Sequence, residues 1–500
     1  MNFIESFKAA RRVSTPIIAC RVPDPAATIT AISQAFNGKQ PIIHWDTCRG
    51  FLGVNDLGQA AVASVCGDET NIINLVEALI LAAKFPPSTI LFIANAHRFI
   101  DMAGVCQGIW NLRDQYKSNR RTLVLNCPQI TLPAELVNDI LVLDEALPTE
   151  ADIDQIFEAV SEAMTEEFPK WTKPDAATKK MAIRACMGLA SFPVEQSLAM
   201  SLTKTGLDLD HLRKRKTSQV EQIKGLSIWE GKETFANLAG LANIKSFTGK
   251  LIGGRDPLGA VFFMDELEKM VAGEGDTSGV SQAMNEAFLT WSQNSRALGI
   301  IFVGVPGAGK TATAKAVAGE AGVPCLMGSL SGVKSPHVGE SESNVRNMFK
   351  TVDAIAAGSR VLMLATCNRI SAITPEMRAR FRLGTFFYNF PDEEENAALW
   401  SMFRAKYGIA DQNIPESSNW VGREIESCCE LAYLLTTTLT EAAKFIVPVA
   451  VSAADQIDTL RRQASGRFLS ASYPGVFKVD SQFVAPAPQF QAGARKMDLN

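Results

Sequence analysis

The sequence predicts an α/β protein of two tandem parallel-sheet modules, each followed by a helical segment, and three observations carry that reading. Short apolar runs alternate with helical stretches from about residue 14 to 145. A second alternating section extends to about Pro391, and in it the octamer Gly304-Val305-Pro306-Gly307-Ala308-Gly309-Lys310-Thr311 stands between the apolar run Ile300 to Val303 and an Ala-rich helical stretch. The stretches after each section, about 149–224 and 392–465, are helical in period.

In the first module, residues 1–148, the apolar runs are Pro16–Cys20, Pro41–Trp45, Thr89–Ala94, Thr122–Asn126 and Ile140–Leu143. Runs of this length separated by helices read as parallel strands. No Gly-rich loop follows the first run, and the third leads into Asn95-Ala96-His97-Arg98, where a nucleotide-hydrolysing protein would carry an acidic pair. The module is therefore expected to resemble a nucleotide-binding fold stripped of its catalytic groups, serving as a scaffold or docking surface. Residues 149–224 read as a helical lid and linker, with Arg213-Lys214-Arg215-Lys216 expected on a solvated helix face.

The octamer is a P-loop. Strand, Gly-rich turn and helix start together aim backbone N–H groups and a helix N-terminus at phosphate. Gly307 and Gly309 permit the tight turn, with Pro306, Ala308 and Ala312 completing the cradle. Lys310 supplies positive charge to the outer phosphates, and the Thr311 hydroxyl is the expected protein ligand to Mg²⁺. ATP and Mg²⁺ are the cofactors this implies.

Composition narrows the surroundings. With 49 Lys and Arg against 53 Asp and Glu, the formal charge is −4, so no overall basic face points to wholesale nucleic-acid binding. The ten cysteines form no Cys-x-x-Cys pair, which argues against a zinc ribbon or a disulfide framework. No basic region followed by an apolar core opens the chain, and no apolar stretch is long enough to span a bilayer. A soluble, cytoplasmic protein is expected.

A P-loop hydrolase also needs a carboxylate near Mg²⁺ and one to activate water, usually as an acidic pair ending a buried strand. None follows Lys310. Upstream, Ala260-Val261-Phe262-Phe263-Met264-Asp265-Glu266 has the required form, so Asp265 and Glu266 are read as that pair, against the alternative of a surface pair opening a helix.

At this point the residues resemble the AAA branch of the AAA+ ATPases over about Thr234 to Ala450. The resemblance is carried by "GVPGAGKT", "VGESESNVR", "ATCNR" and "PEMRARF". In that family the acidic (Walker B) strand and its following helix lie between the second and third of these; here they are moved ahead of the P-loop. A parallel sheet tolerates such a permutation, because the strand carboxyl ends still meet at one edge. The whole chain resembles a little-characterised group of AAA proteins of phages, bacteria and plastids with a degenerate N-terminal module.

The resemblance implies an ATPase core over 225–391, the helical stretch 392–465 then serving as its C-terminal lid; residues 466–500, with Pro474, Pro486 and Pro488, read as an extended tail. It implies Asn368 as sensor 1, contacting the attacking water or outer phosphate. Arg380 takes the place of the arginine finger that reaches into a neighbouring subunit, with Arg378 and Arg382 as competitors. Arg423 falls where some members carry a nucleotide-contacting Arg, its alternative being an exposed helix-starting residue. His337 stands where translocating members carry a pore-loop aromatic. The segment Gly466 to Gly475 either docks on a neighbouring subunit or caps the lid helix.

The expected function is an AAA+ ATPase, a homo-oligomer and by resemblance a hexamer, remodelling a protein or macromolecular assembly. The alternatives are a nucleotide-gated assembly module with little turnover and an ATPase of a DNA transaction.

Overall fold

The computed structural model describes residues 3–67, 71–168, 171–203, 206–229, 231, 233–270, 280–295, 297–329, 340–356, 359–368, 373–410 and 413–479. The chain divides into two compact units, residues 1–219 and 220–500. His337 and the tail from residue 480 lie outside the described residues.

The first unit is built on a six-stranded sheet of order β3-β2-β4-β5-β1-β6. Its strands are β1 (Ile17–Arg21), β2 (Ile42–Asp46), β3 (Gly50–Gly53), β4 (Ile90–Ala94), β5 (Thr122–Cys127) and β6 (Leu141–Asp144). All pairings are parallel except β2 with β3. Alternate residues go to opposite faces: Ile17, Ile43, Leu91 and Leu123 enter one core, and Ile18, Ile42, Ile90 and Val124 another. Burial on both faces explains why these strands read as unbroken apolar runs. β3 is Gly-rich and escapes that signal. A turn creates it instead, in which the Asp46 carboxylate accepts from Cys48 N and Arg49 N, both at 2.9 Å.

Where a phosphate loop would follow β1, the chain runs Val22-Pro23-Asp24-Pro25. Asp24 is the N-cap of helix Pro25–Ala35, accepting from Ala27 N at 3.1 Å. A carboxylate thus occupies the helix start that would otherwise attract an anion.

The helices Glu150–Glu167, Ala176–Cys186, Ser191–Ser201 and Leu209–Val220 follow, interrupted by a hairpin of β7 (Leu202–Thr203) and β8 (Gly206–Leu207). The last helix corrects one expectation. Arg213 and Lys214 are exposed, but Lys216 is only 7% exposed. The helical period is the reason: Leu212, Lys216 and Val220 are spaced four apart and share the buried face. Burial pushes the Lys216 ammonium down to about 8, an effect that nearby Cys186 opposes, and pushes the Cys186 thiol up to about 12.

The charged form of Lys216 therefore opposes folding below about pH 8, and the penalty fades as pH rises from there towards the unfolded value. Lys216→Met is expected to raise the thermal midpoint by about 3 °C or more at pH 7. The gain should shrink at pH 10, as calorimetry or a dye-based melt would read.

The second unit holds a seven-stranded sheet of order β15-β14-β11-β13-β10-β12-β9. The strands are β9 (Leu226–Trp229), β10 (Leu258–Met264), β11 (Leu298–Gly304), β12 (Cys325–Gly328), β13 (Arg360–Cys367), β14 (Thr385–Tyr388) and β15 (Leu469–Ser470). All pairs are parallel except β9 with β12. β10 precedes the P-loop strand β11 in sequence yet lies between β12 and β13, the slot that a strand running between those two would fill. The permuted order read from the sequence is the order in the sheet.

One face of β10 meets an aromatic cluster from the helices Val280–Asn294 and Glu340–Ile355. Phe262 lies edge-on to Trp291 and Phe349, which stack at 4.4 Å. The other face, Val261 and Phe263, packs with Ile300, Phe302, Leu362 and Leu364. These contacts on both faces hold the transposed strand in register.

The segment after residue 466 first caps the last lid helix, Ala454–Ala464, one of its two expected courses: Arg467 N and Phe468 N both donate to Ala464 O at 3.1 Å. It then joins the sheet, so the tail expected from 466 is not extended there. Leu469 and Ser470 add to the sheet beside β14, and Ala471 N donates to Phe387 O at 3.0 Å. The carbonyl of Ala471 accepts from Ile244 N at 3.0 Å, and that of Ser470 from Asn243 Nδ2 at 2.6 Å, satisfying groups at the start of helix Ala242–Ile252. Among the described residues no helix is long and apolar enough to cross a membrane.

Candidate active site

The P-loop leaves β11 through Gly304, whose φ of 147° and close backbone contact exclude a side chain: a Cβ there would lie 2.1 Å from Tyr388 O. Gly307 and Gly309 have φ of 85° and 90°. Gly309 caps helix Lys310–Ala321 with no side-chain hydrogen bond, leaving the first N–H groups for a ligand. Lys310 folds back over the loop, its Nζ donating to Gly304 O at 2.9 Å and Val305 O at 3.1 Å. Burial pushes the ammonium down to about 8, against the opposing pull of Asp265 and Glu268.

Strand register brings the acidic pair to the same edge. Met264 pairs with Ala365, and Val303 with Cys367, so the turn after β10, the end of β13 and the P-loop share one rim. Asp265, Glu266, Thr366 and Asn368 line one cleft of about 950 Å³ with Pro306, Gly307, Ala308, Gly309, Lys310, Thr311 and Ala312. Glu266 holds φ 53°, a left-handed conformation costing a non-glycine residue about 1–2 kcal/mol. Its N–H donates to Thr366 Oγ1 at 2.8 Å, and that hydroxyl donates to Asp265 Oδ1.

The far wall comes from the C-terminal helices. Arg423, at the start of helix Gly422–Leu435, is exposed to the cleft, and its N–H donates to Gly307 O at 3.3 Å. Helix Glu393–Tyr407 adds Leu399, Met402, Phe403 and Lys406 opposite Asn237, Leu238 and Leu241. Glu395 ties the two sides together by accepting from Leu241 N at 2.7 Å.

Of the residues singled out from sequence, Arg380 stands apart. It does not line the cleft, and its Nη2 donates to Gln293 Oε1 at 3.3 Å while Arg378 and Arg382 are exposed. Sequence reasoning missed Thr366, Glu268 and Glu395. Glu268 Oε1 accepts from Asn368 N at 3.0 Å. The third acidic residue in Asp265-Glu266-Leu267-Glu268 was an available signal; for Thr366 and Glu395 only the fold reveals the contact.

The Thr311 hydroxyl and Asp265 carboxylate are hard oxygen donors lining one cleft, which fits Mg²⁺, an ion that takes one or two protein ligands and fills its shell with phosphate oxygens and waters. Among the described residues no group of three or more His, Cys, Asp or Glu could hold a metal by itself.

Comparison with known proteins agrees with this geometry. Residues 300–359 match the family described as "ATPase family associated with various cellular activities (AAA)", and residues 3–145 match "SpoVK-like AAA ATPase, N-terminal domain". The AAA match begins within the P-loop strand and ends before β13, leaving the transposed β10 outside it. Among relatives, an uncharacterized AAA domain-containing protein ycf46 of Guillardia theta is 21% identical, covering 93% of this chain and 95% of its own. The ycf46 protein of Pyropia yezoensis is 23% identical over 94% of this chain and 100% of its own. A short stretch, 17% of this chain and 10% of the other, is 37% identical to the "ATP-dependent zinc metalloprotease FTSH 7, chloroplastic" of Arabidopsis thaliana. A P-loop and an acidic strand thus meet at one sheet edge, and each of the two units contains a stretch that is similar to AAA ATPases.

Proposed function

We propose that the second unit binds and hydrolyses ATP with Mg²⁺, in a homo-oligomer, and that turnover remodels a protein or macromolecular assembly. The observation that carries this is the insertion of β10 between β12 and β13, which sets Asp265 and Glu266 on the rim of the P-loop cleft. An acidic pair transposed in sequence but restored in space is what a hydrolytic site requires and a mere phosphate cradle does not.

In this reading Lys310 and the helix N-terminus hold the outer phosphates. Glu266 takes a proton from water as its oxygen attacks the γ-phosphorus and the bond to the bridging oxygen breaks. Mg²⁺, held with Thr311 and Asp265, supplies neutralisation of phosphate charge when bound. Asn368 orients the water, and Arg423 reads nucleotide occupancy from the lid. Arg380, outside its own cleft, serves the neighbouring subunit's nucleotide, which is why a ring or helical oligomer is required.

Shared sites give a direct test. Arg380→Ala is expected to lower turnover by roughly 10³-fold with ATP binding intact. Mixing it with Glu266→Gln should recover activity above that of either variant, because an intact cleft then meets an intact finger. Phosphate release measured across a mixing series checks this. No recovery, with mixed oligomers present, would remove Arg380 from the role.

A further inference from the structure

Thr366 is 2% exposed, near the end of a strand whose other buried side chains are apolar. A buried hydroxyl is unfavourable unless bonded, and valine would fill the same space. This hydroxyl is used twice: Glu266 N donates to it at 2.8 Å, and it donates to Asp265 Oδ1. Its single proton is committed to the carboxylate, so the two bonds form one directed chain from the Glu266 amide to the Asp265 side chain.

The contact spans 100 residues of sequence, between two strands that the permuted order leaves without a short connection. It grips the turn at Glu266, the residue held at φ 53°. Without it, the strand pairing ends at Met264 opposite Ala365. Beyond that pair, backbone register no longer fixes the acidic residues.

We propose that Thr366 is a positioning residue whose hydroxyl fixes both carboxylates, setting Asp265 for the cation and Glu266 for water. This rests on the assignment of those roles under the proposed function. Thr366 touches neither phosphate nor water in this account, and acts through its two neighbours.

The test compares wild type, Thr366→Val and Thr366→Ser in the full chain, using a fluorescent ATP analogue titrated with Mg²⁺ and steady-state turnover on the same preparations. Thr366→Val should raise the Mg²⁺ half-saturation at least fivefold and lower kcat at least tenfold. Affinity for the Mg²⁺-free analogue should stay within twofold. Thr366→Ser, which keeps the hydroxyl, should return both readouts to within threefold of wild type. Thr366→Ala provides the same comparison if valine disturbs packing. A Mg²⁺ midpoint and kcat within twofold of wild type in the Val variant would overturn the proposal, as would a Ser variant as impaired as Val. If wild type shows no turnover, the hydrolytic reading fails, and the Mg²⁺ midpoint alone still decides the positioning role.

Discussion

Glu266→Gln is expected to retain ATP binding within about threefold and to lose steady turnover by roughly 10²- to 10⁴-fold, the range for removing a positioned general base. The substitution is nearly isosteric, so the φ of 53° and the amide bond to Thr366 stay as they are. What changes is the ability to take a proton. Because binding depends on the P-loop and turnover on the acidic turn, the two readouts should separate cleanly. Equal turnover in wild type and variant would sink the assignment and make Glu268, which already contacts the Asn368 backbone, the next carboxylate to test. Tight binding with negligible turnover even in wild type would favour a nucleotide-gated assembly module.

The second large effect concerns Lys310, whose ammonium is pushed down to about 8 by burial. Phosphate binding requires the protonated form. ATP affinity should therefore be flat below about pH 8 and fall by up to tenfold per pH unit above it, reaching about tenfold weaker at pH 9 than at pH 7. Stability of the nucleotide-free protein runs the other way. A lysine whose folded value lies below its unfolded one opposes folding while charged, so its penalty is present below about pH 8 and fades as pH rises further. Calorimetric ATP titrations at several pH values check the first trend, and melts of wild type against Lys310→Met the second. Lys310→Arg stays charged throughout and should flatten the affinity profile. A wild-type profile flat to pH 9.5 would contradict the depressed value.

A DNA-transaction ATPase would need basic segments such as Arg213–Lys216, and that stretch is less of a surface than its composition suggests, since Lys216 turns inward. Four consecutive cations carry no information about which side of a helix is covered. Leu212 and Val220, one helical repeat on either side, do.

The phosphate site is legible in the sequence because a P-loop is local: strand, Gly-rich turn and helix start are contiguous, and Gly307 and Gly309 take the positive φ that the turn needs. Both sheets are legible in outline as well, since strands buried on two faces are apolar throughout. The sequence also offered Asp265 and Glu266 as the acidic pair, but whether they reach the P-loop depended on strand order. That order is set by side-chain packing between elements far apart in the chain, such as Phe262 against Trp291 and Phe349. That Thr366 bonds the acidic turn, that Glu395 ties the lid to Leu241 and that Lys216 is buried follow from packing alone. Each depends on which surfaces meet across the fold, and that is a property of the packed chain rather than of any window of residues along it.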